Sequence, residues 1–114
     1  MIVVPEISAL ERTARGVHLQ LKIPANLGYF EGHFPNCPLL PGVVQISWAI
    51  ELGRVHVPFT GRFRALRAVK FMRVILPGST VALELDYEAA AGELTFIYRL
   101  DGRECSNGTV VFDA

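Results

Sequence analysis

Cysteine is scarce in this 114-residue chain: Cys37 and Cys105 are the only two, and they form no CxxC pair. No disulfide is expected, and a reduced, cytoplasmic setting follows. Net charge is missing too, because eleven basic and eleven acidic residues cancel. No global field therefore draws nucleic acid or an anionic membrane, and partners must be recognised locally. The opening MIVVPEI lacks a basic flank and is broken by Pro5 and Glu6, so it does not read as a signal peptide. The uncharged run from Gly32 to Ile50 approaches the length of a membrane span, but Pro35, Pro38 and Pro41 divide it into buried loop and helix. No repeat, low-complexity tract or linker splits the chain, so residues 1–114 are read as a single domain. A domain of this size buries roughly two thirds of its unfolded surface. Any large pocket would need a second subunit.

Periodicity is present where charge is not. Val17, Leu19, Leu21 and Ile23 alternate with His18, Gln20 and Lys22, the period of a half-buried strand. Pro41 suits a first helical position, and a helix is expected from there to about Leu52, with Gly53 as its stop. Only Gln45, Ser47 and Glu51 interrupt its apolar surface, which predicts a buried central helix. Strand-like runs follow at residues 63–76, 80–88, 93–100 and 103–112, separated by Pro77-Gly78, Ala91-Gly92 and Asp101-Gly102. Asp-Gly is a strong signal for a two-residue hairpin turn. One apolar helix with about five strands gives an α+β fold in which an antiparallel sheet wraps around the helix.

The chemistry concentrates in EGHFPNCPLLPGVVQISWAIE, residues 31–51. His33 titrates near neutrality and is suited to taking a proton at cellular pH. Pro41 sets the helix start, and Gly42 offers its first free backbone N–H with no side chain in the way. Backed by the helix dipole, such a donor stabilises an oxyanion or enolate. The pair fits proton removal next to a thioester carbonyl. The bland alternative is a hydrogen-bonded structural histidine and an ordinary Pro-Gly turn, and the residues by themselves leave both open. Cys37, four residues after His33, is read as a small buried residue and not as a nucleophile. His18 and His56 form no metal spacing with His33.

The stretch GHFPNCPLLPGV resembles the GHFPxxPxxPGV signature of the β-hydroxyacyl-acyl-carrier-protein dehydratases of the FabZ/FabA type, which have the hotdog fold. KFMRVILPGSTV, residues 70–81, is similar to that family's KFRRPVxPGDxL segment. The resemblance runs from about residue 17 to the end, and the short chain looks similar to the compact dehydratases of aryl-polyene pathways. It implies that His33 acts on the substrate's C2 proton, that the Gly42 N–H holds the thioester oxygen, and that an acid from the other subunit of a dimer handles the 3-hydroxyl. It implies no cofactor, because the substrate arrives on the phosphopantetheine arm of acyl carrier protein.

The family's acidic position, fourteen residues after the histidine, is Ser47 here. A hydroxyl cannot donate a proton as a carboxylic acid does. Glu51 lies one helical turn further on the same face, and helical side chains lean toward the N-terminus, so it can stand in as a displaced acid. An apolar setting would favour its protonated form. The competing reading is an ordinary ion pair between Glu51 and Arg54. Alternatively this chain is half of a heterodimer whose other hotdog subunit supplies the acid, or a non-catalytic acyl-binding subunit. Gln45 either orients a bound group or satisfies a loop carbonyl.

Arg62, Arg64, Arg67, Lys70 and Arg73 follow one another with no acid among them. They are either a solvated strand face or a dock for the acidic carrier protein. Nucleic acid fits poorly, since no aromatic stacking platform accompanies them. A thioesterase on the same fold is disfavoured by the two motifs.

Overall fold

A computed structural model describes residues 5–24, 39–57 and 59–113. Their elements are β1 (Glu6–Arg12), β2 (Gly16–Lys22), α1 (Gly42–His56), β3 (Phe63–Phe71), β4 (Thr80–Glu88), β5 (Glu93–Leu100) and β6 (Arg103–Phe112). The strands form one sheet in the order β1-β2-β4-β5-β6-β3, with every neighbour antiparallel. This is the expected hotdog arrangement of an antiparallel sheet and a single helix.

Alternation explains which face is dry. Val17, Leu19 and Leu21 of β2, Val81, Leu83 and Leu85 of β4, and Leu94, Phe96 and Tyr98 of β5 are all buried together with Val44, Trp48, Ala49 and Leu52 of the helix. Each large apolar side chain taken from water contributes about 1.5–3 kcal/mol. The Asp101-Gly102 turn has positive φ at both residues (51° and 78°), as the tight hairpin joining β5 and β6 requires.

Four expectations need correction. The sheet has six strands, because EISALER forms β1; as a mostly exposed edge strand it shows no clean alternation. The helix does not stop at Gly53 but runs to His56, and Gly53 lies inside it. A Cβ at Gly53 would sit 3.0 Å from Leu94 Cδ2, so this glycine serves close approach of helix to sheet. Pro41 is the extended residue just before the helix, making Gly42 the first helical residue. β3 ends at Phe71 and not at residue 76, because the Met72 and Arg73 N–H groups both turn to the Cys105 carbonyl (2.8 and 3.1 Å). Beyond that bend, the Ile75 carbonyl accepts from the Leu40 N–H at 2.8 Å.

The helix is also less covered than its composition suggests. Val43 is 69% exposed and Val55 73%, because the sheet of one chain shields only one side of it. Among the described residues no helix is long and apolar enough to cross a membrane.

Candidate active site

Gly42 opens the helix, so its N–H has no intrahelical acceptor, while the Val44 and Gln45 N–H groups both donate to the Pro41 carbonyl at 3.1 Å. No acidic side chain occupies the first turn to compete for that end of the dipole. The Phe71 ring lies directly over Gly42: a Cβ there would meet Phe71 Cζ at 2.6 Å. Glycine at this position thus leaves room for the ring as well as for a ligand.

A buried hydrogen-bond chain holds this helix start against the sheet. Gln45, 3% exposed, donates from Nε2 to the Leu40 carbonyl (3.1 Å) and accepts from Ser106 Oγ at its Oε1 (2.7 Å). Tyr98 donates from its hydroxyl to the Gln45 backbone carbonyl at 2.7 Å. Burial pushes the Tyr98 hydroxyl far above its ordinary titration range, so it stays a donor at any working pH. Of the two roles considered for Gln45, the loop-carbonyl contact is present, and both its amide nitrogen and its amide oxygen have a partner.

The helix start borders a cavity of about 330 Å³ lined by Leu39, Leu40, Gly42, Gln45, Phe71 and the segment Met72 to Val74. A wider groove of about 730 Å³ shares that segment and continues past Leu100, Asp101, Arg103 and Cys105. A basic mouth, Arg73 and Arg103, therefore leads to an apolar inner end at Gly42. Phe71, Arg103, Tyr98 and Ser106 were not singled out from the sequence. Phe71 had a signal in the KFMRVILPG segment, whereas Arg103 comes near only through the fold. A third cavity, of about 400 Å³, lies at the helix's far end beside His56, Arg12 and Glu88. There Arg12 donates to the His56 carbonyl at 2.6 Å and caps the helix C-terminus.

His33 and Cys37 lie outside the described residues. Ser47 is half-buried and Glu51 is exposed, one turn apart on the helix side left open by the sheet. Arg54 does not pair with Glu51. Its guanidinium donates to the Gly61 carbonyl (3.2 Å) and sits over the Phe59 and Phe112 rings at 5.4 and 5.1 Å. The Glu51 carboxylate has no ion-pair partner among the described residues. The apolar surroundings anticipated for it are not supplied by the described residues of this chain.

All five basic residues of the 62–73 segment are exposed, but they are not equivalent. Arg67 is held by Glu93 through two 2.7 Å hydrogen bonds. That pairing holds the Glu93 carboxyl below its usual range. A positive φ of 53° at Ala68 accompanies a bulge between Arg67 and Lys70, which breaks simple alternation along β3. Among the described residues no cluster of His, Cys, Asp or Glu could hold a metal ion.

Residues 9–109 match the family described as ApeI-like, ApeI dehydratase. The chain is 29% identical to the 3-hydroxyacyl-[acyl-carrier-protein] dehydratase FabZ of Clostridium novyi, over 97% of this chain and 84% of that protein. To the FabZ of Chloroflexus aggregans it is 34% identical, over 76% of this chain and 65% of that protein. Among solved structures, the dehydratase heterocomplex ApeI:P from Xenorhabdus doucetiae superposes with a TM-score of 0.90 at 32% identity, covering 98% of this chain and 100% of that one.

Proposed function

Since the chain belongs to the ApeI-like dehydratase family, we propose that it dehydrates a 3-hydroxyacyl thioester, presented on acyl carrier protein, to the trans-2-enoyl thioester. The observation that carries this reading is the Gly42 N–H at the helix start, without an intrahelical acceptor, bordering an apolar cavity that continues into a basic groove. In the reaction His33 takes the C2 proton. The C2–H electron pair moves onto the thioester oxygen, where the Gly42 N–H and the helix dipole stabilise it. Collapse of the enolate forms the C2–C3 double bond and breaks the C3–O bond, and the leaving oxygen takes a proton from a carboxylic acid to depart as water.

Glu51 is our candidate for that acid. It lies a turn from Ser47 and is not held by Arg54. Its exposure on a single chain favours a dimer in which the open helix side becomes part of a shared site. Arg73 and Arg103 are assigned the phosphate of the carrier's arm, with the thioester threading along Met72 toward Gly42. Arg62, Arg64, Arg67 and Lys70 remain further candidates for carrier contact, Arg67 the least, since Glu93 neutralises it.

A second reading, a heterodimer whose other subunit brings the acid, is favoured by the heterocomplex among the structural neighbours. Assays of Glu51→Gln and Ser47→Glu separate the two. If Glu51 is the donor, the isolated chain turns over, Glu51→Gln slows it about a hundredfold, and Ser47→Glu restores or raises activity. If the acid is a partner's, Glu51→Gln changes little and the isolated chain is nearly inactive.

A further inference from the structure

Gln45 touches both peptide planes that decide where the Gly42 N–H points. The Pro41–Gly42 peptide is trans, so its N–H is directed opposite its carbonyl. That carbonyl accepts from the Val44 and Gln45 N–H groups at 3.1 Å, which turns the Gly42 N–H out of the helix start, on the side of the cavity that Gly42 lines. The preceding plane is held as well, because its oxygen, the Leu40 carbonyl, accepts from Gln45 Nε2 at 3.1 Å. Between the two planes stand only the torsions of Pro41, and the proline ring locks φ at −61°. With both carbonyls tied to Gln45, little freedom is left to the Gly42 N–H.

The sheet fixes Gln45 in turn. A backbone carbonyl only accepts, so the amide presents its NH2 group to Leu40 and its Oε1 to Ser106, whose hydroxyl donates at 2.7 Å. The Tyr98 hydroxyl donates to the Gln45 backbone carbonyl, also at 2.7 Å. Ser106 is the direct cross-strand neighbour of Tyr98 on β5 and of Phe71 on β3, whose ring covers Gly42. One row across three strands therefore grips the first helical turn. Stability by itself does not call for these polar contacts, since matched apolar side chains at positions 45 and 106 would fill the same buried space at little net cost.

We infer that Gln45 is a positioning residue of the dehydration, anchored by Ser106 and Tyr98: it aims the Gly42 N–H at the place where negative charge develops on the thioester oxygen. The consequence for rate rests on the dehydratase reading above; the orientation of the N–H does not. A donor of this kind acts only when it meets the developing charge. Turning it aside therefore lowers the rate of the chemical step more than it weakens substrate binding.

Two measurements on Gln45→Met, which nearly keeps the side-chain volume and removes both amide contacts, test this. The residual dipolar coupling of the Gly42 N–H reports the direction of that bond, and it is expected to change while the couplings of β4 and β5 amides stay as in the wild type. Steady-state kinetics on a 3-hydroxyacyl carrier substrate, at a temperature where circular dichroism shows the variant folded, should give a kcat lower by about tenfold to a hundredfold with KM within about twofold. Ser106→Ala should move both readouts in the same direction, and adding it to Gln45→Met should cost no further rate, because both act through one donor. An unchanged Gly42 coupling or an unchanged kcat in folded Gln45→Met would overturn the inference, as would rate losses that add in the double variant. If Gln45→Met does not fold, Ser106→Ala and Tyr98→Phe carry the same two measurements. A wild-type chain that dehydrates nothing, alone or with a second subunit, counts against the reaction, and the coupling then still decides whether Gln45 aims the N–H.

Discussion

At Gly42 backbone chemistry and packing impose the same residue. In the proposed reaction the N–H must stay open for an oxyanion, and the Phe71 ring already occupies the space of a side chain. Gly42→Ala keeps the N–H and a helical backbone but forces the ring aside. It is expected to leave the protein folded while lowering kcat by about tenfold to a hundredfold, the scale of a small misplacement at the reacting atoms. Kinetics and a melting curve of Gly42→Ala and of Gly42→Ala/Phe71→Ala check this: recovery in the double variant identifies ring displacement as the cause. Gln45 makes a different kind of contribution. Ser106→Ala strips a donor from a buried amide oxygen and should cost about 1–3 kcal/mol of stability, read by denaturant unfolding.

At the scale of elements, the Arg67–Glu93 pair ties β3 to β5 across β6. The folded Glu93 carboxyl titrates below its unfolded value. Its stabilisation is therefore complete above the ordinary glutamate range and is lost as pH falls through the lowered folded value. Glu93→Gln should melt earlier than wild type at neutral pH, with the gap closing in acid; a gap unchanged by pH would contradict this. Gly108 lies where β6 meets Val69 and Phe96, and a Cβ there would approach them to 2.8 and 2.9 Å. Gly108→Ala should cost about 1–3 kcal/mol by overpacking, measured by thermal or denaturant unfolding.

The same scale separates what was legible in the sequence from what was not. β2, β4, β5 and β6 could be read because each presents one face to the helix and one to water, and Asp101-Gly102 announced its turn. β1 could not, since an edge strand with both faces mostly wet has no alternation to show. Gly53 read as a stop because its reason is contact with Leu94, a residue 41 positions away. The bend after Phe71 depends on the Cys105 carbonyl, which the run of apolar residues to Leu76 conceals. The helix start at Pro41-Gly42 was legible because it is a local feature. Arg103 was missed because its place at the groove exists only once the β5–β6 hairpin folds back.

For the molecule as a whole, the described residues of one chain leave the helix side with Val43, Glu51 and Val55 open to water and the outer edge of β3 unpaired. Both features leave room for a second subunit. The carrier's approach is also a property of the whole surface. Arg73→Glu or Arg103→Glu should raise KM for carrier-bound substrate and spare a small thioester analogue, an effect that weakens with salt. Equal effects on both substrates would assign these arginines to the fold.

The most direct test of the dehydratase reading is product analysis after incubating a 3-hydroxyacyl carrier substrate with the purified chain, alone and with a second hotdog subunit that brings a carboxylic acid, beside the same preparations of a folded His33→Ala variant. The account predicts trans-2-enoyl thioester and water from the wild type in at least one preparation, with the rate falling about a hundredfold or more when His33 is removed. Unchanged turnover in His33→Ala, release of free acid in place of enoyl thioester, or no product from any preparation would contradict it.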